Sequence, residues 1–305
     1  ALQVWERFPP DVRLINLETA ITTSAEYWPG KAVHYRMHPE NVAALQAAQI
    51  DVCALANNHL LDWGYPGLGE TLETLRQAGI QSVGAGFDLQ GARAPAVVEV
   101  PGKGRVLVFA FGHASSGIPS AWSAGEDTPG LNLLPDLGEG TVESIRELVI
   151  AVKQPGDVVV ASIHWGSNWG YEIPAEQVEF AQRLIERAGV DIVHGHSSHH
   201  VRPIQVFQGK LILYGAGDLI NDYEGIAGYE EYRGDLALIY LVWVNPQSGM
   251  LSEVRMIPMQ IKGFRLNRAS PADAAWLRDT LNRLGVAFGT RLELQEDLSF
   301  SLRWE

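Results

Sequence analysis

Four of the nine histidines of this 305-residue chain fall within seven positions, His194, His196, His199 and His200, directly after the run Val190 to Val193. A buried strand that ends in a histidine-rich loop presents imidazoles at the carboxyl edge of a sheet, where α/β proteins place their ligands. The same form recurs elsewhere: Val158 to Ile163 delivers His164, Asp51 to Ala56 runs into Asn57-Asn58-His59, and Val12 to Leu17 ends on Glu18. Imidazole, carboxylate and amide oxygen form a mixed nitrogen and oxygen ligand set. Such a set suits a divalent transition metal (Mn, Fe, Zn or Ni) rather than a thiolate-bound structural zinc. One strand-end histidine alone reads as a hydrogen-bonded structural residue, and Asn57-Asn58 alone as turn chemistry. Four separate strand-end placements are hard to explain by packing, and they point to a metal centre.

For these residues to meet, the chain must build a sheet whose strands share one carboxyl edge. Short β-branched runs alternate with longer amphipathic stretches, the sequence form of βαβ units, so the fold class is α/β. Strands are predicted over 12–17, 51–56, 81–84, 105–111, 158–164, 190–194, 210–214 and 236–244, and helices over 39–48, 66–78, 141–152, 175–188 and 271–284. Ala78-Gly79-Ile80 and Ala188-Gly189-Val190 end two of the helices alike, glycine taking the left-handed conformation before the next strand. No repeat or linker divides the chain, which reads as one domain over 1–265 with a helical and strand extension over 266–305 packed on it. Ser115 to Gly140, rich in Gly, Pro and Ser, reads as a surface loop beside a site or as a plain insertion.

Composition excludes several classes. With 23 Lys plus Arg against 36 Asp plus Glu, the formal charge is −13, which disfavours nucleic acid as a partner. Cys53 is the sole cysteine, so there is no internal disulfide; a cytoplasmic location is favoured, and an extracytoplasmic one fits if a signal or anchor precedes the chain. No apolar run approaches the roughly 18–20 residues of a membrane-spanning helix. The chain opens at Ala1, in what reads as the end of a helix, so a preceding segment is expected. Gly84-Ala85-Gly86 lacks the rest of a dinucleotide fingerprint, and no Walker or Gly-x-Ser-x-Gly sequence is present. Asp218, Asn221, Asp222 and Glu224 do not have the spacing of an EF-hand.

In order along the chain, Asn16-Leu17-Glu18, Asn57-Asn58-His59 with Asp62 and Gly64, His164-Trp165-Gly166, Gly195-His196 with His199, and Tyr214 to Asp218 resemble the successive motifs of one family. It is the calcineurin-like metallophosphatases, and within them the CapA, or poly-gamma-glutamate capsule-synthesis, group. The resemblance spans about Asp11 to Tyr240. It implies a four-layer αββα sandwich with two mixed sheets, and a dinuclear centre in which Glu18 bridges two metals. It further implies Asn58 as the amide ligand, His164, His196 and His199 as the rest of the metal shell, and His59 as the catalytic histidine beside the transferring group. A bridging carboxylate holds two cations about 3.5–4 Å apart, and the pair activates water while neutralising charge on the attacked group. Two features depart from the pattern. The commoner Gly-x-His-x-His is here Gly195-His196-Ser197-Ser198-His199-His200, so His194 or His200 could take the place of His196. The Gly-Asp motif that opens the family is expected upstream of Ala1.

Around this centre, Lys31, His34, Tyr35 and Arg36 could hold an anionic group, Arg36 offering a bidentate fork, with a solvated loop as the competing reading. Trp165, Asn168, Trp169 and Tyr171 read as pocket walls or as loop packing, and His113 reads as structural. The substrate-contacting set is thus His34, Arg36, Trp165 and Asn168, with Asp218 from the last motif. The leading reading is a metal-dependent hydrolase of a phosphoester or amide-type bond, with a small-molecule, peptide or polyglutamate-like substrate. One alternative is a metal-dependent peptide epimerase, in which the centre acidifies the proton beside a carbonyl, as in the lasso-peptide epimerases that resemble this family. The other is a non-catalytic capsule-polymer assembly or binding protein.

Overall fold

The computed structural model describes residues 2–221 and 226–305, a mixed α/β protein with several sheets. Asp222 and Glu224 of the rejected calcium-loop reading lie outside the described residues. Leu14–Asn16, Val52–Ala54 and Gln81–Val83 form a three-stranded parallel sheet, Leu14 opposite Val52 and Val52 opposite Gln81. A seven-stranded sheet has four parallel strands at its centre, in the order Gly104–His113, Val158–His164, Ile192–His196 and Lys210–Leu213. Ala96–Val100 and Ile204–Phe207 flank it antiparallel, and Leu133–Leu134 adds a short parallel edge.

Alternation along Val158–His164 assigns each residue to one face. Val159, Ala161 and Ile163 pack on Val142, Ile145 and Val149 of the Glu139–Ile150 helix and on Phe180 and Leu184 of the Ala175–Arg187 helix. Val160, on the other face, shares a core with Val108, Ala110 and the three-stranded sheet's Val52, Ala54 and Val83. On that sheet's far side Cys53 and Leu55 pack with Leu68 and Leu75 of the Gly64–Gln77 helix. Each fully buried Val, Leu, Ile or Phe among these stabilises the fold by about 1.5–3 kcal/mol. Ser162 and His164 continue the face that carries Val160, so these polar residues point between the two sheets at their carboxyl edge.

Each predicted helix is present, the first as a 3-10 turn, Pro39–Asn41, leading into Val42–Ala47. The Val190–His194 strand is displaced to Ile192–His196, which puts two histidines inside the strand. Five strands of four residues or more were not anticipated: Ala96–Val100, Ile204–Phe207, Met250–Ile261, Thr290–Leu294 and Phe300–Trp304. Met250–Ile261 escapes sequence reading because Glu253, Arg255 and Pro258 interrupt its apolar pattern; in the sheet Pro258 sits opposite Leu238. The residues after 265 are woven into the sheet of Leu236–Asn245 and Met250–Ile261, since Met256 pairs with Phe300 and Leu266 with Ile261. The Pro271–Gly285 helix starts where Ser270 Oγ accepts the Asp273 N–H at 3.2 Å, with Pro271 in the first turn. No helix among the described residues is long and apolar enough to cross a membrane.

Candidate functional site

The carboxyl ends of four strands meet where the two sheets face each other. His164 Nε2 lies 3.1 Å from Asn58 Oδ1 and 3.9 Å from Glu18 Oε1. Its Nδ1 is 2.8 Å from His196 Nδ1, and His196 Nε2 is 2.9 Å from Ser162 Oγ. The register that sets Ser162 opposite His194 and His164 opposite His196 makes this possible. His164 is fully buried, and burial, aided by the charges of His59, His199 and Lys31, pulls its pKa down to about 3. Burial likewise holds His196 well below its ordinary value. Both rings are therefore neutral imidazoles.

Glu18 behaves oppositely to an exposed carboxylate. Burial, then the charge of Asp218, push its pKa up to about 8, although His199, Lys31 and a 2.9 Å hydrogen bond from Asn16 Nδ2 pull it down. Opposite it, His199 Nδ1 stands 3.2 Å from both oxygens of Asp218. Burial works against the His199 charge, but Asp218 and Glu18 outweigh it and raise its pKa.

His59 has a different setting. Its Nδ1 is 2.6 Å from Asp62 Oδ2, its backbone N–H donates to Asn57 Oδ1, and its ring stacks on Tyr35 at 4.0 Å between centroids. Asp62 is fully buried and also accepts from the Tyr35 N–H at 2.7 Å and from Lys31 Nζ, which donates to the Asn58 carbonyl as well. Burial lowers the His59 pKa against the pull of Asp62, so His59 is a neutral ring donating Nδ1–H to a carboxylate, with Nε2 left for acid/base work.

Backbone strain marks the histidine loop. Ser197, between His196 and His199, has φ 116, a conformation that costs about 1–3 kcal/mol in a non-glycine residue. Gly195 cannot be larger, because a Cβ there would lie 2.5 Å from the Leu213 carbonyl oxygen.

A family model described as "Bacterial capsule synthesis protein PGA_cap" matches residues 2–223. The chain belongs to this family. It is 50% identical over 298 residues to a "Probable polyglutamine synthesis accessory protein" of Mycobacterium tuberculosis, covering 97% of this chain and 78% of the relative. The "PGA biosynthesis protein CapA" of Bacillus subtilis is 29% identical over 208 residues, 68% of this chain and 52% of that protein. The "Capsule biosynthesis protein CapA" of Bacillus anthracis is 28% identical over 226 residues, 72% and 53% of the two.

In this PGA_cap chain the expected ligands converge to different degrees. His164 Nε2, Asn58 Oδ1 and Glu18 Oε1 lie together at the carboxyl edge, and the donor set is of the type a transition metal takes. A carboxyl whose proton is retained up to about pH 8 is a group that a cation would ionise. By these observations the residues fit a metal. The amide of Asn58 is essential to that fit, because among the described residues no group of three or more His, Cys, Asp or Glu side chains could hold a metal ion by itself. Of the two alternates, His194 contacts Ser162 Oγ at 3.0 Å, and His200 Nδ1 donates to the Val201 carbonyl within an aromatic box of Trp169, Tyr171 and Tyr232.

The substrate-contacting set divides. Trp165 is a correction: it is 1% exposed, packs edge-on against Phe180 and donates its indole N–H to the Tyr214 carbonyl, so it belongs to the core and walls no pocket. Trp169 does stand at the surface of the site, 5.5 Å from the His199 ring and stacked on Tyr229 at 4.2 Å. Asn168 is exposed and its carbonyl accepts the His199 N–H, so its backbone orders the histidine loop. His34 Nε2 is engaged with the Trp28 carbonyl, while Arg36 lies over the Trp63 ring and donates to the Ser24 carbonyl. Lys31 and Tyr35, from the same cluster, are the members that touch the His59 and Asp62 pair. The Ser115 loop borders the site, Ser115 Oγ accepting the Gly166 N–H and Ser116 Oγ donating to the His164 carbonyl. Sequence reasoning gave no site role to Asp62 or Ser162. The signals were there: Asp62 follows His59 by three residues, and Ser162 precedes His164 by two on one strand face.

Proposed function

We propose that this chain is a metal-dependent hydrolase of the metallophosphatase type, acting on a phosphoester or amide-type bond in the synthesis or processing of a capsule-type glutamate polymer. The observation that carries this reading is the convergence of Glu18, Asn58 and His164 on one edge beside the His59–Asp62 pair. The polymer class rests on the names of the relatives, which refer to polyglutamine, PGA and capsule synthesis. Two sheets sharing the Val52 and Val108 core, with helices on their outer faces, support the four-layer calcineurin-like sandwich as the fold.

Glu18, Asn58 and His164 would hold a divalent Mn, Fe, Zn or Ni ion. His196 and His199 would complete the shell, with Glu18 shared if a second ion binds. When bound, the metal activates water and neutralises charge on the attacked group. The protein's own groups do the rest. Asp62 fixes the His59 ring and its tautomer, so that the bare Nε2 can take a proton as a base and, once protonated, return it to a leaving atom. Lys31 secures both the Asp62 carboxylate and the Asn58 carbonyl, which fixes the backbone that presents Asn58 and His59. Trp169 and Tyr229 offer a flat apolar face on which part of a substrate can rest.

Metal content by mass spectrometry, on protein prepared without added metal or chelator, is the test, together with turnover of an aryl phosphate and of a γ-glutamyl amide. Bound transition metal and turnover lost in His164→Ala support the reading. No bound metal, or full turnover in His164→Ala, overturns it.

A further inference from the structure

Beneath the exposed residues Ser167 and Asn168, in the loop that follows His164, lies Arg202, whose side chain is buried at 1% exposure. No carboxylate forms an ion pair with it among the described residues; burial alone pulls its pKa down to about 10, which leaves it a cation at neutral pH. Its partners are carbonyls and a hydroxyl. Nη2 donates to the Ser167 carbonyl at 2.8 Å, to Ser167 Oγ at 2.9 Å and to the Trp169 carbonyl at 3.4 Å. Ser167 Oγ in turn donates to the Trp169 carbonyl at 2.7 Å. Beside these bonds, Ser197 Oγ donates to the Gly166 carbonyl at 3.2 Å and the His199 N–H to the Asn168 carbonyl at 3.0 Å. Four successive carbonyls, 166 to 169, thus take donors from the 197–202 segment. Gly166 and Gly170, with φ 78 and 105, bracket the turn that brings them to one side. Gly215 leaves room for the arginine stem, since a Cβ there would lie 2.8 Å from Arg202 Cδ. A buried cation without a counter-charge is costly, and an apolar side chain of similar size would fill the space without that cost. What an apolar side chain does not supply is a donor for the Ser167 and Trp169 carbonyls.

We infer that Arg202 is a positioning residue for substrate: as a cation built into a cup of carbonyls, it locks 167–169 onto the histidine loop and so holds the Trp169 ring at the rim of the site. That ring lies 5.5 Å from the His199 ring and is held between His200, at 5.9 Å, and Tyr229, at 4.2 Å between centroids. The Arg202 side chain hydrogen-bonds to none of the expected metal ligands and reaches the site through the loop alone. With the cup broken, the carbonyls of this exposed loop would turn to water, and Trp169 would lose its fixed place while the strands below stay paired. The role in substrate binding rests on the hydrolase reading above; the hold on Trp169 does not.

The test uses the full chain labelled with 5-fluorotryptophan, the Trp169 signal being assigned by its absence from Trp169→Phe. Arg202→Lys keeps the charge, but its ammonium ends one bond short of the Ser167 and Trp169 carbonyls. It should shift or broaden the Trp169 fluorine signal and leave the other tryptophan signals in place. It should also raise KM for the aryl phosphate or the γ-glutamyl amide about 10-fold, the scale of one aromatic contact, while kcat changes less. In Arg202→Ala, millimolar guanidinium should restore the Trp169 signal by refilling the cup, and methylammonium should not. A Trp169 signal unchanged in Arg202→Lys overturns the inference. So does a change shared by every tryptophan signal that guanidinium does not reverse, which marks a general role in folding. A displaced Trp169 signal with wild-type KM overturns the role in substrate binding. If wild type turns over neither compound, the hydrolase reading fails instead, and the fluorine signals still decide whether Arg202 holds Trp169.

Discussion

On the side of the site built by 158–200, His164 and His196 sit on strands inside the seven-stranded sheet, and burial, aided by neighbouring positive groups, keeps both rings neutral. On the side built by 16–62, Lys31, His59 and Asp62 sit on loops and turns, tied to one another by charged hydrogen bonds. The difference separates two tasks. Neutral rings on rigid strands offer lone pairs in fixed directions, as a metal requires, and a histidine paired with a carboxylate on a turn is suited to moving a proton. His199 lies between these cases, a loop histidine beside Asp218 with a raised pKa.

Removing a group from the strand side should have the largest effect. His164→Ala takes away the nitrogen that faces Asn58 and Glu18, so bound metal should fall below half the wild-type stoichiometry and turnover should drop at least about 1,000-fold. Metal analysis and kcat on the same preparation check both. Retained metal with lost turnover would move His164 to the proton-handling side and break the division drawn here.

On the loop side, Asp62→Asn should leave metal content intact while lowering kcat about 100-fold, the scale of a general acid–base contribution. Asn can still accept from Tyr35 and Lys31 but does not hold the Nδ1–H of His59 with a charge. A change confined to KM would show that Asp62 serves substrate binding instead.

The two sides also differed in how far they could be read from sequence. Val158–His164 was legible to the residue, because an unbroken apolar run between turn residues has one plausible fate in an α/β protein. That His164 ends its strand followed from the same periodicity, while His59 sits in the turn after Val52–Ala54, beyond the predicted strand. The pairing of Ser162 with His194 and His196 was not legible, because it depends on the register between two strands about 30 positions apart, which only the packed helices on the far face set. Trp165 was misplaced for a related reason: an aromatic next to a site histidine looks like a pocket wall until alternation turns it toward the helix side, against Phe180. The long strand Met250–Ile261 was obscured by Glu253, Arg255 and Pro258, tolerated there because the sheet places them at half-exposed or paired positions.

At the far end of the His164 strand, Arg105 makes two hydrogen bonds to Asp157, at 2.9 and 2.6 Å, and one to the Val152 carbonyl. This pair anchors the strand by charge where the site end relies on neutral burial. Asp157→Asn should destabilise the fold, since it leaves the guanidinium short of its counter-charge. The midpoint of a urea melt checks it. The Arg105 hydrogen bond leads the forces that hold the Asp157 carboxyl below its ordinary 3.8. A lowered folded pKa means that the stabilisation is present above about pH 4 and is lost as pH falls through the folded value. Wild type should therefore lose its advantage over Asp157→Asn in acid. An equal gap at all pH values would show that packing, not charge, is the cause.

The smallest expected effect concerns Glu18, where the two sides meet, and its sign is reversed. In metal-free protein the folded pKa of about 8 lies above the ordinary 4.5, so folding favours the protonated carboxyl. The stability it leaves intact is fully present below about pH 4.5 and falls as pH rises toward 8. Glu18→Gln keeps the shape without the charge, so with chelator present at pH 8 it should be more stable than wild type by on the order of 1–2 kcal/mol, allowing for partial solvent access. Near pH 4 the two should melt together. Added metal should reverse the order, because a cation at Asn58 and His164 stabilises the ionised Glu18 and gains nothing from glutamine. Were Glu18→Gln no more stable than wild type at pH 8 without metal, the Glu18 carboxyl would already be neutralised by Lys31 and His199, and the strand side and the loop side would form one charge-balanced unit.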